Sequence, residues 1–393
     1  MSGRQSFVPG ATARKGAWVL VIGGIVAAAL GVAGSPERTW PGLLLNGFYM
    51  TALALGGMVF IAVQCLSGAA WSANLRRIPE ALMAALPVAA MLMLILFFGR
   101  DWLYPATRSD ARADEWARTL YLGTPFFFGR MVVFLAAWTL FARRLRRSSL
   151  QQDEDPSPRH HRRLVRDSAA FIVVFAISFS LASFDWLMTL TPRWSSTIFA
   201  VYTFAGVLVG GIAAVTLVLV LLADRGYLAD VVTADQLHDL GKLLFAFSTF
   251  WAYIWFSQYL LIWYGNLPEE TTYYAARTSP PWMPVFLINL VVNWVVPFVV
   301  LMPRAAKRSA AILKWVAIVV LAGRWLDLYL VVMPATLDAP SVRALDVLIV
   351  AGHAGALFLV VTGALASAPL VPVNAFGPRE PRARAHEEMT RRA

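Results

Sequence analysis

Apolar residues do not alternate with polar ones along this chain; they run together. Ten apolar stretches cover residues 17–34, 42–67, 79–99, 122–142, 168–190, 195–223, 240–263, 282–303, 309–333 and 344–367. The segments between them hold charges, prolines and glycines, as in Ser35-Pro36-Glu37-Arg38 and Thr191-Pro192-Arg193, the residues that interrupt helices. A hydrocarbon core about 30 Å thick takes about 20 apolar residues per helix. Each stretch therefore predicts one crossing, and the chain reads as an all-α polytopic membrane protein. The expected layout is a cytoplasmic N-terminus over 1–16, one transmembrane domain over 17–367 and a polar cytoplasmic tail over 368–393. The first stretch follows Arg14 and Lys15 and ends in small residues, a pattern shared with cleaved signal peptides; the remaining topology is the same in either case.

Two of the stretches share a pattern. The fifth ends Phe184-Asp185-Trp186 and reaches Pro192; the ninth ends Leu326-Asp327-Leu328 and reaches Pro334. Each has an aspartate seven residues before a proline. The copies lie four spans apart and so run parallel, which predicts two similar four-helix bundles: spans two to five (about 42–190) and spans six to nine (about 195–333), flanked by spans one and ten.

Composition agrees. Of 393 residues 59% are hydrophobic and 15% charged, against a usual charged share of about 25%, and the mean hydropathy is +0.62. One cysteine, Cys65, excludes a disulfide framework, a CxxCH haem attachment and a cysteine-ligated iron–sulfur cluster. Of five histidines, His160, His161 and His386 sit in charged, loop-like segments, while His238 and His353 fall at different depths. Bis-histidine haem ligation is not expected, no metal site is expected, and any redox metal belongs to partners.

The net charge of +11 invites a nucleic-acid reading, but its placement argues against one. With the N-terminus inside, inner segments carry 22 Lys and Arg and outer segments 8, the bias that sets topology. Eight of the inner ones are arginines between Arg143 and Arg166, read as a solvated topology signal. Both termini are thus expected in the cytoplasm. The outer segments 100–121 and 264–281 are rich in Trp, Tyr and mixed charge (Asp101, Trp102, Tyr104, Asp110, Asp114, Glu115, Trp116; Tyr264, Glu269, Glu270, Tyr273, Tyr274), which suits an interfacial belt or a docking surface.

A charge within the bilayer costs several kcal/mol and needs a partner or a purpose. Counted by depth, Arg130, Asp185, Gln258, Arg324, Asp327 and His353 fall in the outer half or near the midplane, and Glu80, His238 and Lys242 near the inner ends. Arg324 and Asp327 are three apart, hence on one helix face and able to pair. Aspartate is short, cannot snorkel far, and exchanges a proton when burial favours its neutral form. Asp185 and Asp327 are therefore the leading proton-path candidates, with Arg130 and Arg324 as modulators and His353 as a relay. Helix pairing is the structural alternative for each. Asn46, Tyr49, Asn289 and Asn293 read as interhelical hydrogen bonders.

The run from His238-Asp239-Leu240-Gly241-Lys242 through Trp251-Ala252-Tyr253-Ile254-Trp255-Phe256-Ser257-Gln258-Tyr259 to Ile262-Trp263-Tyr264-Gly265-Asn266-Leu267-Pro268-Glu269-Glu270 resembles the ActF-type membrane subunit of bacterial alternative complex III. Ser183-Phe184-Asp185-Trp186 fits the same pattern. Such subunits are similar to the NrfD/PsrC-like anchors of quinone-linked oxidoreductases. The resemblance implies a bacterial inner-membrane subunit with a sister NrfD-like subunit beside it. Periplasmic multihaem cytochrome c and iron–sulfur partners would carry haem c and clusters, and the assembly would oxidise quinol and reduce cytochrome c or a terminal oxidase. It also implies a proton path here and the quinol site in the sister.

Quinol oxidation needs a base near the quinone oxygens. The first bundle offers no histidine in its spans, and Asp185 reads as its one well-buried carboxylate. Proton transfer or pairing with the sister subunit therefore stands ahead of a quinol pocket in this chain, with the aromatic stretch Trp251 to Tyr264 shaping a face toward quinone or a neighbour. A secondary transporter and a structural anchor for periplasmic cytochromes are the alternatives.

Overall fold

The computed structural model describes residues 7–104, 120–192, 194–228 and 231–373. Among the described residues ten long helices follow the ten apolar stretches: α1 Ala11–Gly34, α2 Pro36–Leu66, α3 Arg77–Leu103, α4 Thr124–Glu154, α5 Pro158–Leu190, α6 Phe199–Asp224, α7 Ala234–Gly265, α8 Met283–Leu301, α9 Ala310–Ala335 and α10 Ala344–Ala366. Among the described residues nine of these are long and apolar enough to cross a membrane. α7 is the exception. Its first turns carry Asp235, His238, Asp239 and Lys242, and its tryptophans and tyrosines add little hydropathy, since such rings favour the interface. At 32 residues it is nonetheless about 48 Å long at 1.5 Å per residue.

Packing closes two rings. α2 lies against α3 and α5, and α4 against the same two; α6 lies against α7 and α9, and α8 against those two. The rings meet along α2 and α6, where Gly56 and Gly211 face each other. A Cβ on Gly56 would stand 2.5 Å from the Val207 carbonyl oxygen and 2.7 Å from Gly211 Cα. Lipid-embedded helices associate through such small-residue contacts, because no hydrophobic drive exists between them in lipid. Gly56→Ala is therefore expected to force two backbones apart at a cost of about 1–3 kcal/mol, read as a lower thermal midpoint in detergent. An unchanged midpoint would mean the crossing is loose. α1 packs along α10 in the same manner, Gly24 against Gly352.

The arginine-rich connection departs from expectation. The spans predicted to end at 142 and begin at 168 continue as helix to Glu154 and from Pro158. His160 and His161 are thus helical rather than in a loop, and His160 is buried. Arginine is a good helix former, so charge ended the apolar pattern without ending the helix. The break falls between Asp155 and Ser157, where Asp155 accepts from the Ser157 backbone N–H at 3.0 Å, Arg159 at 2.7 Å and His160 at 3.1 Å. The Ser157 N–H first, then His160, holds the Asp155 carboxyl below its ordinary range.

The aromatic segment 264–281 is also more ordered than a docking loop would require. A short helix, Pro268–Arg277, buries Tyr273, Tyr274 and Arg277. Arg277 donates to the Leu330 and Val331 carbonyls at 2.8 and 2.7 Å, capping the end of α9. Tyr264 and Glu269 remain exposed. Asp110, Asp114, Glu115, Trp116, Arg193, His386 and the tail from Phe376 lie outside the described residues.

Candidate functional site

The second ring closes around a carboxylate. Asp327, on α9, is 1% exposed. Its Oδ1 accepts from the Tyr202 hydroxyl of α6 at 2.5 Å and from Asn289 Nδ2 of α8 at 2.8 Å. Its Oδ2 pairs with Arg324 one turn earlier on the same helix. Arg324 lies over the Trp251 ring of α7, 4.8 Å from the centroid, and reaches Asn293 Oδ1 at 3.3 Å. All four helices of the ring therefore supply a side chain to one ion pair.

Local sequence explains the arrangement. Gly206 on α6 leaves room for the guanidinium: a Cβ there would stand 2.5 Å from Arg324 Nη2. On α8, Pro297 has no N–H to give the carbonyl one turn back, and residues Val291–Val295 widen into a π-turn just before it. Such turns recur at functional sites. This one contains Asn293, whose Nδ2 donates to Asn289 O and Oδ1 and to Gly323 O at 2.8–2.9 Å. Asn289 and Asn293 are the interhelical bonders expected. So are Asn46, which accepts from Trp325 Nε1 at 3.0 Å, and Tyr49, which donates to Leu321 O at 2.8 Å.

The first ring carries a related pair. Asp185, fully buried on α5, accepts from Arg130 Nε of α4 at 2.8 Å. Arg130 also donates to Tyr121 O at 2.8 Å and lies 3.8 Å from the centroid of that ring. In both rings the fourth helix's aspartate thus receives a hydrogen bond from the third helix, Arg130 in one and Asn289 in the other. The rings differ in their cation, which comes from α4 in the first and from α9 itself in the second. Asp185 Oδ1 and Arg130 Nη2 are buried without a hydrogen-bond partner among the described residues. Between the aspartates, the Thr203 hydroxyl donates to Ser183 Oγ at 2.8 Å and joins α5 to α6.

Glu80 belongs to a third cluster at the opposite end of the helices. It is 1% exposed and accepts from Arg77 at 2.5 Å and from Ser149, with Arg76 Nε at 3.3 Å. Arg77 also pairs with Asp153, and Arg146 donates to the Glu80 carbonyl at 3.2 Å. One expectation changes. Asp185 is not the one buried carboxylate of the first ring, since Glu80 and Asp167 are buried as well. His238 and Lys242, the other two candidates near the inner ends, stand apart from the Glu80 cluster. Lys242 is exposed and pairs with Asp239 at 2.6 Å, and His238, half-buried, stays with that pair's end of α7.

His353 and Gln258 remain apart from the ion pairs. His353 Nδ1 meets Ile349 O at 2.8 Å on its own helix, and its Nε2 is buried without a partner among the described residues. Gln258 is buried on α7, with Nε2 likewise unpartnered. It shares a face with Trp251 and Trp255, while Tyr253, Phe256, Trp263 and Tyr264 point outward. The aromatic stretch thus splits between ring interior and exposed face. Among the described residues no group of three or more His, Cys, Asp or Glu could hold a metal ion.

Tyr202, Arg77 and Ser149 were not singled out by sequence. A tyrosine within an apolar stretch was the available signal for Tyr202; Arg77 and Ser149 looked like ordinary cytoplasmic polar residues.

Nine apolar spans among the described residues, packed around buried ion pairs, define a multi-pass membrane protein. Residues 32–339 match the family described as polysulphide reductase, NrfD, and the chain belongs to that family. Its members are membrane subunits of quinone-linked oxidoreductase complexes and pair with other membrane and redox subunits. The matched segment holds both aspartate pairs and Glu80; α1 and His353 on α10 lie wholly or largely beyond it. Among curated proteins no match is found.

Proposed function

We propose that this chain is the proton-conducting, non-haem subunit of a quinol:cytochrome c or quinol:terminal-oxidase complex of the alternative complex III type. It would sit in the bacterial inner membrane with both termini cytoplasmic, beside the sister NrfD-like subunit that binds quinol. Periplasmic multihaem cytochrome c and iron–sulfur subunits would carry the redox centres. The observation that carries the reading is the Arg324–Asp327 pair, enclosed by groups from four helices.

Its chemistry follows from charge. If Asp327 takes a proton, Arg324 becomes a buried cation without its counter-ion, which costs several kcal/mol. Arg324 has two other anchors within reach, Asn293 Oδ1 and the Trp251 face. Proton arrival at Asp327 is therefore coupled to a shift of the guanidinium toward them, and return of the guanidinium expels the proton. Tyr202, already bonded to Oδ1, is the group through which the proton enters or leaves. Asp185 and Arg130 form the second such station, with hydrogen-bonding atoms still open among the described residues.

The experiment measures protons released per quinol oxidised by the whole complex in proteoliposomes. Asp327→Asn, Asp185→Asn and the charge-balanced pair R324Q/D327N are each expected to assemble and to lower that ratio. An unchanged ratio in all three would leave the clusters a purely structural role. That second reading has its own support, because both Asp327 oxygens are already bonded; it expects assembly and activity to fall together.

A further inference from the structure

The helical corner between α4 and α5 forms a basin of about 400 Å³. Arg144 and Arg147 enter it from α4, Arg163 and Arg166 from α5. At spacings of three residues on two antiparallel helices, these four guanidinium groups converge from both walls. Asp167, buried between them, pairs with Arg144 at 3.4 Å and Arg166 at 3.2 Å and so fixes two of the four. Arg147 and Arg163 are exposed and have no ion pair among the described residues. The basin thus holds four cations against one carboxylate. Setting topology requires only that basic residues lie in the connecting segment; it does not require them to face one another. Arg146 in the same run turns away and caps α10 through Ala364 O at 2.7 Å.

What lies next to the basin points to its occupant. Val133 and Leu140 on α4, and Val173 and Ile177 on α5, are exposed apolar side chains on the membrane-spanning parts of the same helices. A cationic hollow continued by bare apolar surface along both helices matches a molecule with an anionic head and hydrocarbon tails. Guanidinium groups bind phosphate oxygens in bidentate fashion, and basic pockets between spans suit anionic lipid heads. We infer that the α4–α5 corner binds the phosphate of an anionic phospholipid, with Arg147 and Arg163 as its free ligands and the acyl chains lying along the exposed faces of α4 and α5.

The test uses the full chain, stripped of lipid in mild detergent and titrated with dioleoyl-phosphatidylglycerol, dioleoyl-phosphatidylcholine or inorganic phosphate. Bound lipid is read by native mass spectrometry and by the shift in thermal midpoint. Wild-type chain is expected to retain phosphatidylglycerol over phosphatidylcholine. R147Q/R163Q should bind it about 30-fold more weakly, two arginines near the surface at about 1 kcal/mol each. R143Q/R162Q, the same charge change outside the basin, should bind as wild type does. All four positions are exposed, and a wild-type thermal midpoint without lipid confirms each variant's fold. Equal loss in both double variants, or equal retention of phosphatidylcholine, would overturn the assignment. Inorganic phosphate displacing phosphatidylglycerol at equal concentration would make this a free-anion site instead. That outcome rejects the lipid.

Discussion

Asp327→Ala is expected to destabilise the protein by about 3–5 kcal/mol, the cost of leaving a buried cation without its partner. Arg324 is 5% exposed and sits mid-ring, with Gly206 against its guanidinium. The long arginine side chain can reach Asn293 and the Trp251 face, but neither carries a countercharge. Tyr202 and Asn289 lose their acceptor in the same substitution, adding buried unsatisfied donors. R324Q/D327N behaves differently, because it removes both charges and keeps amide groups in place. Replacing a buried pair by neutral groups is often close to neutral in stability. The expected order of thermal midpoints in detergent is therefore wild type, then R324Q/D327N close behind, then Asp327→Ala far below. Equal midpoints for the double variant and Asp327→Ala would show that hydrogen bonds, not charge balance, hold this ring. The double variant is also the informative one for proton release, since it removes the proposed proton station without the stability loss.

Nearly all of the architecture was legible in the sequence, for a physical reason. In lipid a backbone must satisfy its own hydrogen bonds, so an apolar stretch of span length has few choices besides a helix. Span length also bounds each helix to within a few turns. The misplaced ends, at α4 and α5, are where that constraint stops acting: outside the hydrocarbon, arginine neither ends nor extends a helix by its polarity, and only Pro156 and Pro158 marked the true corner. The buried charges were legible too, since a charge in an apolar run is conspicuous. Their partners were legible only within one helix. Arg324 with Asp327 follows from spacing alone, but Arg130 with Asp185 is 55 residues apart and Tyr202 with Asp327 is 125 apart. Those pairings depend on ring closure, which no local pattern records. Glu80 shows the opposite failure. Its neighbours Arg76 and Arg77 lie at a span end, where basic residues set topology, and only tertiary packing of α3 on α4 buries them.

Glu80→Ala is expected to lower stability nearly as much as Asp327→Ala and to leave protons released per quinol unchanged. The carboxylate joins Arg76, Arg77 and Ser149, so its removal strips a buried anion from two guanidinium groups at once, at about 3–5 kcal/mol. Asp153 and Gln152 still bind these arginines, which sets the loss at the lower part of that range. The Glu80 carbonyl, held by Arg146 together with the α10 end, is untouched, so α3, α4 and α10 should loosen without separating. Glu80→Gln keeps an acceptor for Arg77 and should lose less than half as much. Position separates the two roles. Glu80 is bonded to Ser149 of α4 and Asp185 to Arg130 of the same helix, 19 residues apart and so about 28 Å at 1.5 Å per residue. A group so far from the Arg130–Asp185 pair, saturated by two cations, is expected to act as a brace. The measurement is the thermal midpoint of Glu80→Ala and Glu80→Gln, alongside proton release by the assembled Glu80→Gln complex. A reduced proton ratio in Glu80→Gln at wild-type assembly would instead make this cluster the inner mouth of the path.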